Sequence, residues 1–119
     1  VGVDMSNIVM NVGTATAGYG FEYVVSTLDR VKAAALGQDD AQLQMPIMTS
    51  VGDETWGVKE SMASEADVPA WGPVDARGVN MEVTTAMAVL ASGSNAVILK
   101  DNRKLNTFRK NLNTKSGIC

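Results

Sequence analysis

The residue types in this chain restrict the chemistry that it can perform alone. The sequence contains no histidine and one cysteine, Cys119. Without histidine, a Ser-His-Asp triad, a Cys-His pair and a histidine zinc site are excluded within the chain. One cysteine forms neither an internal disulfide nor a multi-cysteine metal site, and it fits a reducing compartment. We therefore expect no catalytic residue and no metal ligand set, so chemistry here needs carboxylates, a cofactor or another chain.

Two carboxylates, Glu22 and Glu54, are the best candidates for acid–base chemistry, because each follows the end of a predicted strand. Proton transfer needs a positioned group with a tuned pKa. A single carboxylate in the first turn of a helix more often interacts with the helix dipole. We therefore expect neither residue to be catalytic.

The segments that follow two predicted strands are suited to contact a ligand. Residues 11–20 are rich in glycine, alanine and threonine, and residues 49–52 combine hydroxyls with small residues. Such loops can offer backbone N–H groups to a bound group, although a plain βα connection has the same composition. The glycines do not form a dinucleotide-binding G-x-G-x-x-G pattern. The candidate cofactor-binding residues are Asn11, Gly13, Thr14, Thr16, Gly18, Thr49, Ser50 and Gly52.

Short apolar runs predict three strands, at residues 7–12, 44–49 and 95–100. The runs are continuous rather than alternating, as in parallel strands that are buried on both faces. Strands that alternate with helices indicate an α/β fold with right-handed crossovers. Three strands cannot close a barrel, so two open sheet edges remain to be hidden by dimerisation or by docking on another protein.

Apolar spacing and capping residues predict the helices. They cover residues 19–36, residues 53–64 with Asp53 as the cap, residues 79–91, and a final stretch that Asp101 caps. Proline and glycine make residues 67–78 the most loop-like stretch. Trp71 in this loop is a candidate interface anchor, and a small apolar cluster beneath the loop explains it equally well.

Length and composition limit the class of protein. A chain of 119 residues with a net charge of −3 is long enough for one domain, residues 1–119, and has no basic field for nucleic acid. No apolar run is long enough to span a membrane, and the first residues do not resemble a signal peptide. The first residue is Val1 rather than methionine. We therefore expect a cytoplasmic chain that is a fragment of a longer polypeptide.

Several motifs occur in a specific order from about residue 7 to about residue 112. They are Gly18-Tyr19-Gly20-Phe21-Glu22-Tyr23, Leu28-Asp29-Arg30, Ala33 to Leu36, Met45-Pro46-Ile47, Glu54 with Trp56, Trp71-Gly72 and Arg77-Gly78. In this order the chain resembles the C-terminal part of the small (delta) subunit of the corrinoid iron–sulfur protein. That protein is the methyl carrier of anaerobic carbon monoxide dehydrogenase/acetyl-CoA synthase systems.

The resemblance implies both a fold and a function. The fold would be the C-terminal portion, about three βα units, of a TIM-type (β/α) barrel. A large partner subunit would carry an iron–sulfur cluster and a corrinoid (cobalamin) domain, with the corrinoid between the two subunits. This chain would shield the corrinoid during methyl transfer from a methyl-pterin towards acetyl-CoA synthase in the Wood–Ljungdahl pathway. Acetyl-CoA synthase and the methyl-pterin methyltransferase are the further partners that it implies.

The chain departs from the family pattern at two strand ends. Asn11-Val12 stands where the family has Asp-Pro, and Lys100-Asp101 replaces an Arg-His-Pro-like ending. Two other functions therefore stay open. One is a pterin-dependent methyltransferase barrel, in which Asn7 and Asn11 would hold the pterin ring. The other is a barrel-derived interaction module that assembles with itself.

Overall fold

The computed structural model of this chain describes residues 2–101, 109 and 110, in which helices pack on one face of a small parallel sheet. The helices and strands are α1 (Phe21–Gly37), β1 (Met48–Ser50), α2 (Val51–Trp56), α3 (Lys59–Met62), α4 (Val74–Ala91) and β2 (Ala96–Ile98). Short 3-10 helices lie at Met5–Asn7, Ala41–Leu43 and Pro69–Trp71. The predicted helix after Asp101 lies outside the described residues, apart from two of its positions.

The sheet confirms the predicted parallel α/β arrangement. Strand β1 pairs with β2 in parallel, with Thr49 opposite Val97. On its other side, Met10 forms a single parallel bridge with Ile47. The amide of Met10 donates to the carbonyl of Pro46 over 2.8 Å, and the amide of Met48 donates to Met10 over 2.8 Å. The three predicted strand segments therefore lie side by side in chain order.

The first predicted strand, residues 7–12, is nevertheless reduced to that bridge. Asn7 ends a 3-10 turn, since its amide donates to the carbonyl of Asp4 over 3.0 Å. On the other side of the bridge, the side chain of Asn11 accepts from the amide of Gly13 over 3.0 Å. Such local hydrogen bonds compete with a strand ladder, and they end it on both sides of Met10.

Strand β1 overlaps the end of its predicted range of residues 44–49, and β2 lies within its predicted range. β1 begins at Met48 rather than at residue 44, because the amide of Gln44 donates to Ala41 at the end of a 3-10 turn. Pro46 has no N–H to offer to a ladder. β2 lies inside the predicted range of residues 95–100.

The helices confirm one prediction closely and correct two others. Helix α1 matches the predicted range of residues 19–36. Helix α4 begins at Val74 rather than at residue 79, because Pro73 serves as its N-cap residue and accepts from the amide of Arg77. The predicted cap at Asp53 is wrong: Ser50 precedes the first turn of α2, which contains Asp53, and the predicted helix is split into α2 and α3. None of the helices in the described residues combines the length and the hydrophobicity of a membrane span.

The apolar core lies between the sheet and two helices on one of its faces. Val24 and Leu28 of α1 and Ala86 and Val89 of α4 pack with residues around β1. Ile47 and Val51, on either side of β1, are the central members of this cluster and are fully buried. The opposite face of the sheet is open, since Val9 is 53% exposed and Ile98 is 46% exposed.

Two glycines let helix α2 approach its neighbours closely. A Cβ at Gly52 would lie 2.7 Å from the backbone nitrogen of Lys100, just after β2. A Cβ at Gly78 of α4 would lie 2.5 Å from the indole ring of Trp56. Larger residues would overpack both contacts. Trp56 and Gly78, which belong to two of the sequence motifs, thus form a packing contact between α2 and α4.

Candidate functional site

The loop at residues 11–20 lies between the Met10 bridge and helix α1. Gly13 and Gly18 have φ angles of 79° and 94°, in the left-handed region, and both are exposed. Asn11 is also exposed, and Thr14 is half-buried. The backbone of Gly18 and the side chain of Thr14 are therefore accessible, whereas the side chain of Asn11 and the amide of Gly13 are hydrogen-bonded to each other over 3.0 Å.

Thr16 has a structural role in this loop instead. It is 1% exposed, and its hydroxyl lies 3.3 Å from that of Thr85 on α4. The amide of Ala17 donates to the same Thr85 oxygen over 3.1 Å. Thr85 therefore fixes the loop onto α4.

The candidates at the second strand end are mostly directed into the protein. The hydroxyl of Thr49 lies 2.8 Å from that of Ser94, and both side chains are buried. Gly52 is buried against the backbone of Lys100. Ser50, on the open face of the sheet, remains half-buried. Burial thus distinguishes Thr49 and Gly52, but not Ser50, from the accessible loop positions.

An open cleft of about 300 Å³ lies between the loop at residues 11–20 and helix α1. Residues 12–15 form one wall, and Tyr19, Tyr23 and Thr27 contribute to the other. Among the described residues, none of the side chains that line the cleft is charged. Tyr23 is 74% exposed and Tyr19 is 47% exposed, so both rings are available to a ligand or a partner. The residue candidates from the sequence omitted both tyrosines, although they belong to the Gly-Tyr-Gly-Phe-Glu-Tyr motif.

Tyr19 is held in place by an interaction with helix α3. Its phenolic O–H donates to the carboxylate of Glu60. This hydrogen bond raises the pKa of Tyr19, with smaller contributions from desolvation and from the negative charge of Glu60. The same bond lowers the pKa of Glu60. The phenol and the carboxylate therefore stabilise each other as neutral Tyr19 and ionised Glu60.

Arg77 fixes the part of the chain that carries Glu60. One guanidinium nitrogen donates to the carbonyls of Glu60 over 2.9 Å and Ala63 over 2.8 Å. The other terminal nitrogen donates to the carbonyl of Gly72 over 3.0 Å. Arg77 thus joins α3 to the segment before α4. It thereby helps to fix Glu60, which accepts the hydrogen bond from Tyr19.

Glu82 of α4 is a buried carboxylate that the sequence analysis did not identify. It is 1% exposed and accepts from the backbone amide of Lys100, from the amide of Asp101 over 3.3 Å, and from the indole N–H of Trp56 over 3.2 Å. Its position among the buried α4 residues Val79, Ala86 and Val89 was the available signal, because a carboxylate on an apolar stripe needs partners.

The other charged candidates lie at the surface. Glu22 and Glu54 are both exposed. Lys100 lies 3.9 Å from Asp53, and both side chains are largely in water, so this pair contributes little to stability. Within residues 2–101, 109 and 110, no group of three or more potential ligands is placed to hold a metal ion.

The fold and the cleft define an α/β chain whose strand-end loop consists of uncharged residues and is partly accessible to solvent. Comparison with known families makes the assignment specific. The sequence model of the CO dehydrogenase/acetyl-CoA synthase delta subunit family matches residues 1–112. The chain belongs to this family, which confirms the resemblance found in the sequence.

Individual relatives agree with this assignment. Subunit delta 2 of the acetyl-CoA decarbonylase/synthase complex of Methanosarcina acetivorans is 31% identical over 82% of this chain and 22% of its own length. The delta subunit of Methanocaldococcus jannaschii is 29% identical over 98% of this chain and 28% of its own length. That of Methanothermobacter thermautotrophicus is 36% identical over 77% of this chain and 22% of its own length. The chain thus spans about a quarter of the length of these relatives.

The Tyr19–Glu60 bond predicts a specific pH dependence. Because the pKa of Glu60 is lowered, the bond's contribution to stability is present above the ordinary value of 4.5 and is lost as pH falls through the lowered value. Because the pKa of Tyr19 is raised, the contribution is also present below 10.0 and is lost as pH rises through the raised value.

Replacing Glu60 by glutamine should therefore return the pKa of Tyr19 towards 10.0. The measurement is a pH titration of tyrosinate absorbance, with Tyr19→Phe used to identify the contribution of Tyr19. Glu22→Gln is the matched control, since Glu22 is an exposed carboxylate close to Tyr19 in the sequence. Equal tyrosine titrations in Glu60→Gln and Glu22→Gln would contradict the assignment.

Proposed function

We propose that this chain covers one edge of a corrinoid that a partner subunit of the complex holds. The observation that carries the proposal is the open, uncharged cleft beside the exposed backbone of Gly13 and Gly18. Family membership supports it, because the matching relatives are named as delta subunits of the acetyl-CoA decarbonylase/synthase complex.

The residues of the cleft fit such a cofactor as one wall of its site. The periphery of a corrinoid carries neutral amide groups, whose N–H can donate to the hydroxyl oxygens of Thr14 and Thr27. These two hydroxyls themselves donate to the carbonyls of Ala15 and Tyr23. The chain has no histidine to act as a cobalt ligand. When bound, the corrinoid supplies the methyl-transfer chemistry. Tyr19 and Tyr23 would exclude water from its edge, and Glu60 would keep the Tyr19 ring in position.

The open side of the cleft leaves room for the proposed partner. A cofactor covered here on one edge needs a second protein surface on the other, which we assign to a large subunit with the corrinoid domain and the iron–sulfur cluster. The methyl group would arrive from a methyl-pterin methyltransferase and leave towards acetyl-CoA synthase. The cytoplasm is the compartment that we expect for this complex.

The structure offers little support for direct pterin binding by this chain. Asn7 ends a 3-10 turn before the Met10 bridge, and so does not lie at a strand end. The side chain of Asn11 is engaged with the amide of Gly13. The side chains of Asn7 and Asn11 are therefore not placed together at a strand end, as binding of a pterin ring would require.

We further propose that the sheet is one sector of a larger (β/α) barrel. Three parallel segments in chain order and two helices on the same face have the geometry of consecutive βα units. Residues such as Val9 and Ile98 on the open face would then point into the barrel, where further strands would bury them.

The barrel proposal predicts different effects of Ile98→Lys in two proteins. In this 119-residue chain the lysine should be tolerated, because Ile98 is 46% exposed. In the full-length subunit it should lower the free energy of unfolding by about 3 kcal/mol or more, as expected for an unpaired buried charge. Denaturant unfolding measures both, with Ala91→Lys on the exposed side of α4 as the control. A full-length subunit that tolerates both lysines equally would contradict the barrel and favour self-association.

The corrinoid proposal predicts that a larger residue in the cleft disturbs the cofactor contact. In the full-length subunit, Thr14→Trp should abolish the change that subunit binding causes in the visible spectrum of the partner's corrinoid, even at saturation. The physical reason is that the indole fills the cleft that would receive the corrinoid edge. An anoxic spectroscopic titration provides the measurement.

Ser26→Trp is the matched control, because Ser26 is an exposed residue of α1 outside the cleft. The control should give the same spectral change as the unmodified subunit. A normal change in Thr14→Trp, or none with the unmodified subunit, would contradict the proposed function.

A further inference from the structure

An exposed tryptophan occupies a constrained turn at residues 69–72, which we call the Trp71 turn. Trp71 ends a 3-10 helix and is 51% exposed. Its amide donates to Val68 over 3.0 Å, and the amide of Gly72 donates to Pro69 over 3.3 Å. Pro69 and Pro73 restrict the backbone on either side of the ring. The indole is therefore presented to solvent from a well-defined backbone.

Arg77 also fixes the position of the Trp71 side chain. Its guanidinium carbon lies 5.7 Å from the centre of the Trp71 ring, within the range of a cation–π contact. The same guanidinium donates to the carbonyls of Glu60, Ala63 and Gly72. A ring that is already held in one place loses little conformational freedom on binding. Tryptophan is also enriched among the residues that dominate interface energetics.

Two exposed carboxylates, Glu65 and Asp67, lie in the segment that leads into the Trp71 turn. Glu65 is exposed and accepts from the amide of Val74 over 3.2 Å. Asp67 is exposed and accepts from the hydroxyl of Ser64 over 2.6 Å. Both donors are neutral, so these hydrogen bonds do not neutralise the negative charges of Glu65 and Asp67. The rim around Trp71 therefore favours a positively charged partner surface.

The Trp71 turn is connected to the cleft through Glu60. The side chain of Glu60 accepts from Tyr19, which lines the cleft, and its carbonyl accepts from Arg77, on which Trp71 stacks. Met62, on the short helix that carries Glu60, is 66% exposed. A partner seated on Trp71 would therefore be linked by a series of contacts to Tyr19 in the cleft wall.

We propose that the Trp71 turn is the docking site for a partner subunit of the same complex, whose surface offers an apolar pocket rimmed by lysine or arginine. Trp71 fills the pocket, and Glu65 and Asp67 attract its rim. This inference rests on the proposed function in one respect, since we take the partner to be the subunit that brings the corrinoid to the cleft.

The test uses the full-length subunit and the separately purified corrinoid-bearing partner under anoxic conditions. Trp71→Ala should weaken their association about thirtyfold, the effect expected for the central residue of an interface. Leu36→Ala is the matched control, because Leu36 is 83% exposed but lies near the end of α1, outside the Trp71 turn. The control should bind as the unmodified subunit does. Equal affinities in the two variants would overturn the proposal.

A second variant removes charge without removing a hydrogen-bond acceptor. Glu65→Gln with Asp67→Asn should slow association about threefold or more at low salt and reduce the dependence of the rate on salt. Its folding is expected to be unaffected, which keeps the test valid if Trp71→Ala is unstable. An unchanged rate and salt dependence would overturn the assigned charge of the partner. Self-association that Trp71→Ala abolishes, with partner binding intact, would assign the turn to a second copy and overturn the proposal.

Failure of this inference is distinguishable from failure of the proposed function. At saturating concentration, the Trp71→Ala subunit should still produce the full change in the corrinoid spectrum, because the cleft is intact. Weak binding with a normal spectral change at saturation supports the docking site. Normal binding by Trp71→Ala with a normal spectral change overturns the docking site and leaves the cleft proposal standing.

Discussion

The buried carboxylate of Glu82 is the constraint on which the positions of the strand ends depend. A carboxylate that is 1% exposed is costly unless donors surround it. Here the donors are the amides of Lys100 and Asp101, after β2, and the indole of Trp56 at the end of α2. One turn further along α4, Thr85 holds the loop that follows the Met10 bridge. Helix α4 thus uses two buried polar residues to locate the segments that follow β2 and the Met10 bridge.

Much of the fold could be predicted from the sequence, because helix α1 and strands β1 and β2 depend on local apolar patterns. The start of α4 could not. Pro73 indicated a loop, but a proline at the edge of a helix is compatible with its start, and the contacts of Arg77 with Glu60 and Ala63 are tertiary. The predicted length of the first strand was too great, since a short apolar run does not reveal competing turns such as the one at Asn11.

The candidate residues predicted from the sequence differ in their accessibility in the structure. Asn11, Gly13, Thr14 and Gly18 lie on an accessible loop, as a glycine- and threonine-rich strand end suggests. Thr16, Thr49 and Gly52 have the same residue types but serve packing, because small and hydroxylated residues suit both roles. Tyr19 and Tyr23 were missed, since helical spacing alone does not show which side of a helix start faces a cleft. The family assignment, by contrast, depended on the order of motifs and was confirmed.

Hydrogen exchange in the Glu82→Gln variant of this chain tests the central role of this carboxylate most directly. Glutamine keeps the shape but turns one acceptor into a donor, so the amides of Lys100 and Asp101 and the indole of Trp56 can no longer all be satisfied. We predict a loss of about 1–3 kcal/mol in the free energy of unfolding and at least about tenfold faster exchange at the two amides. Glu54→Gln, at an exposed position of α2, should change neither. Unchanged exchange at Lys100 and Asp101 in Glu82→Gln would contradict the account.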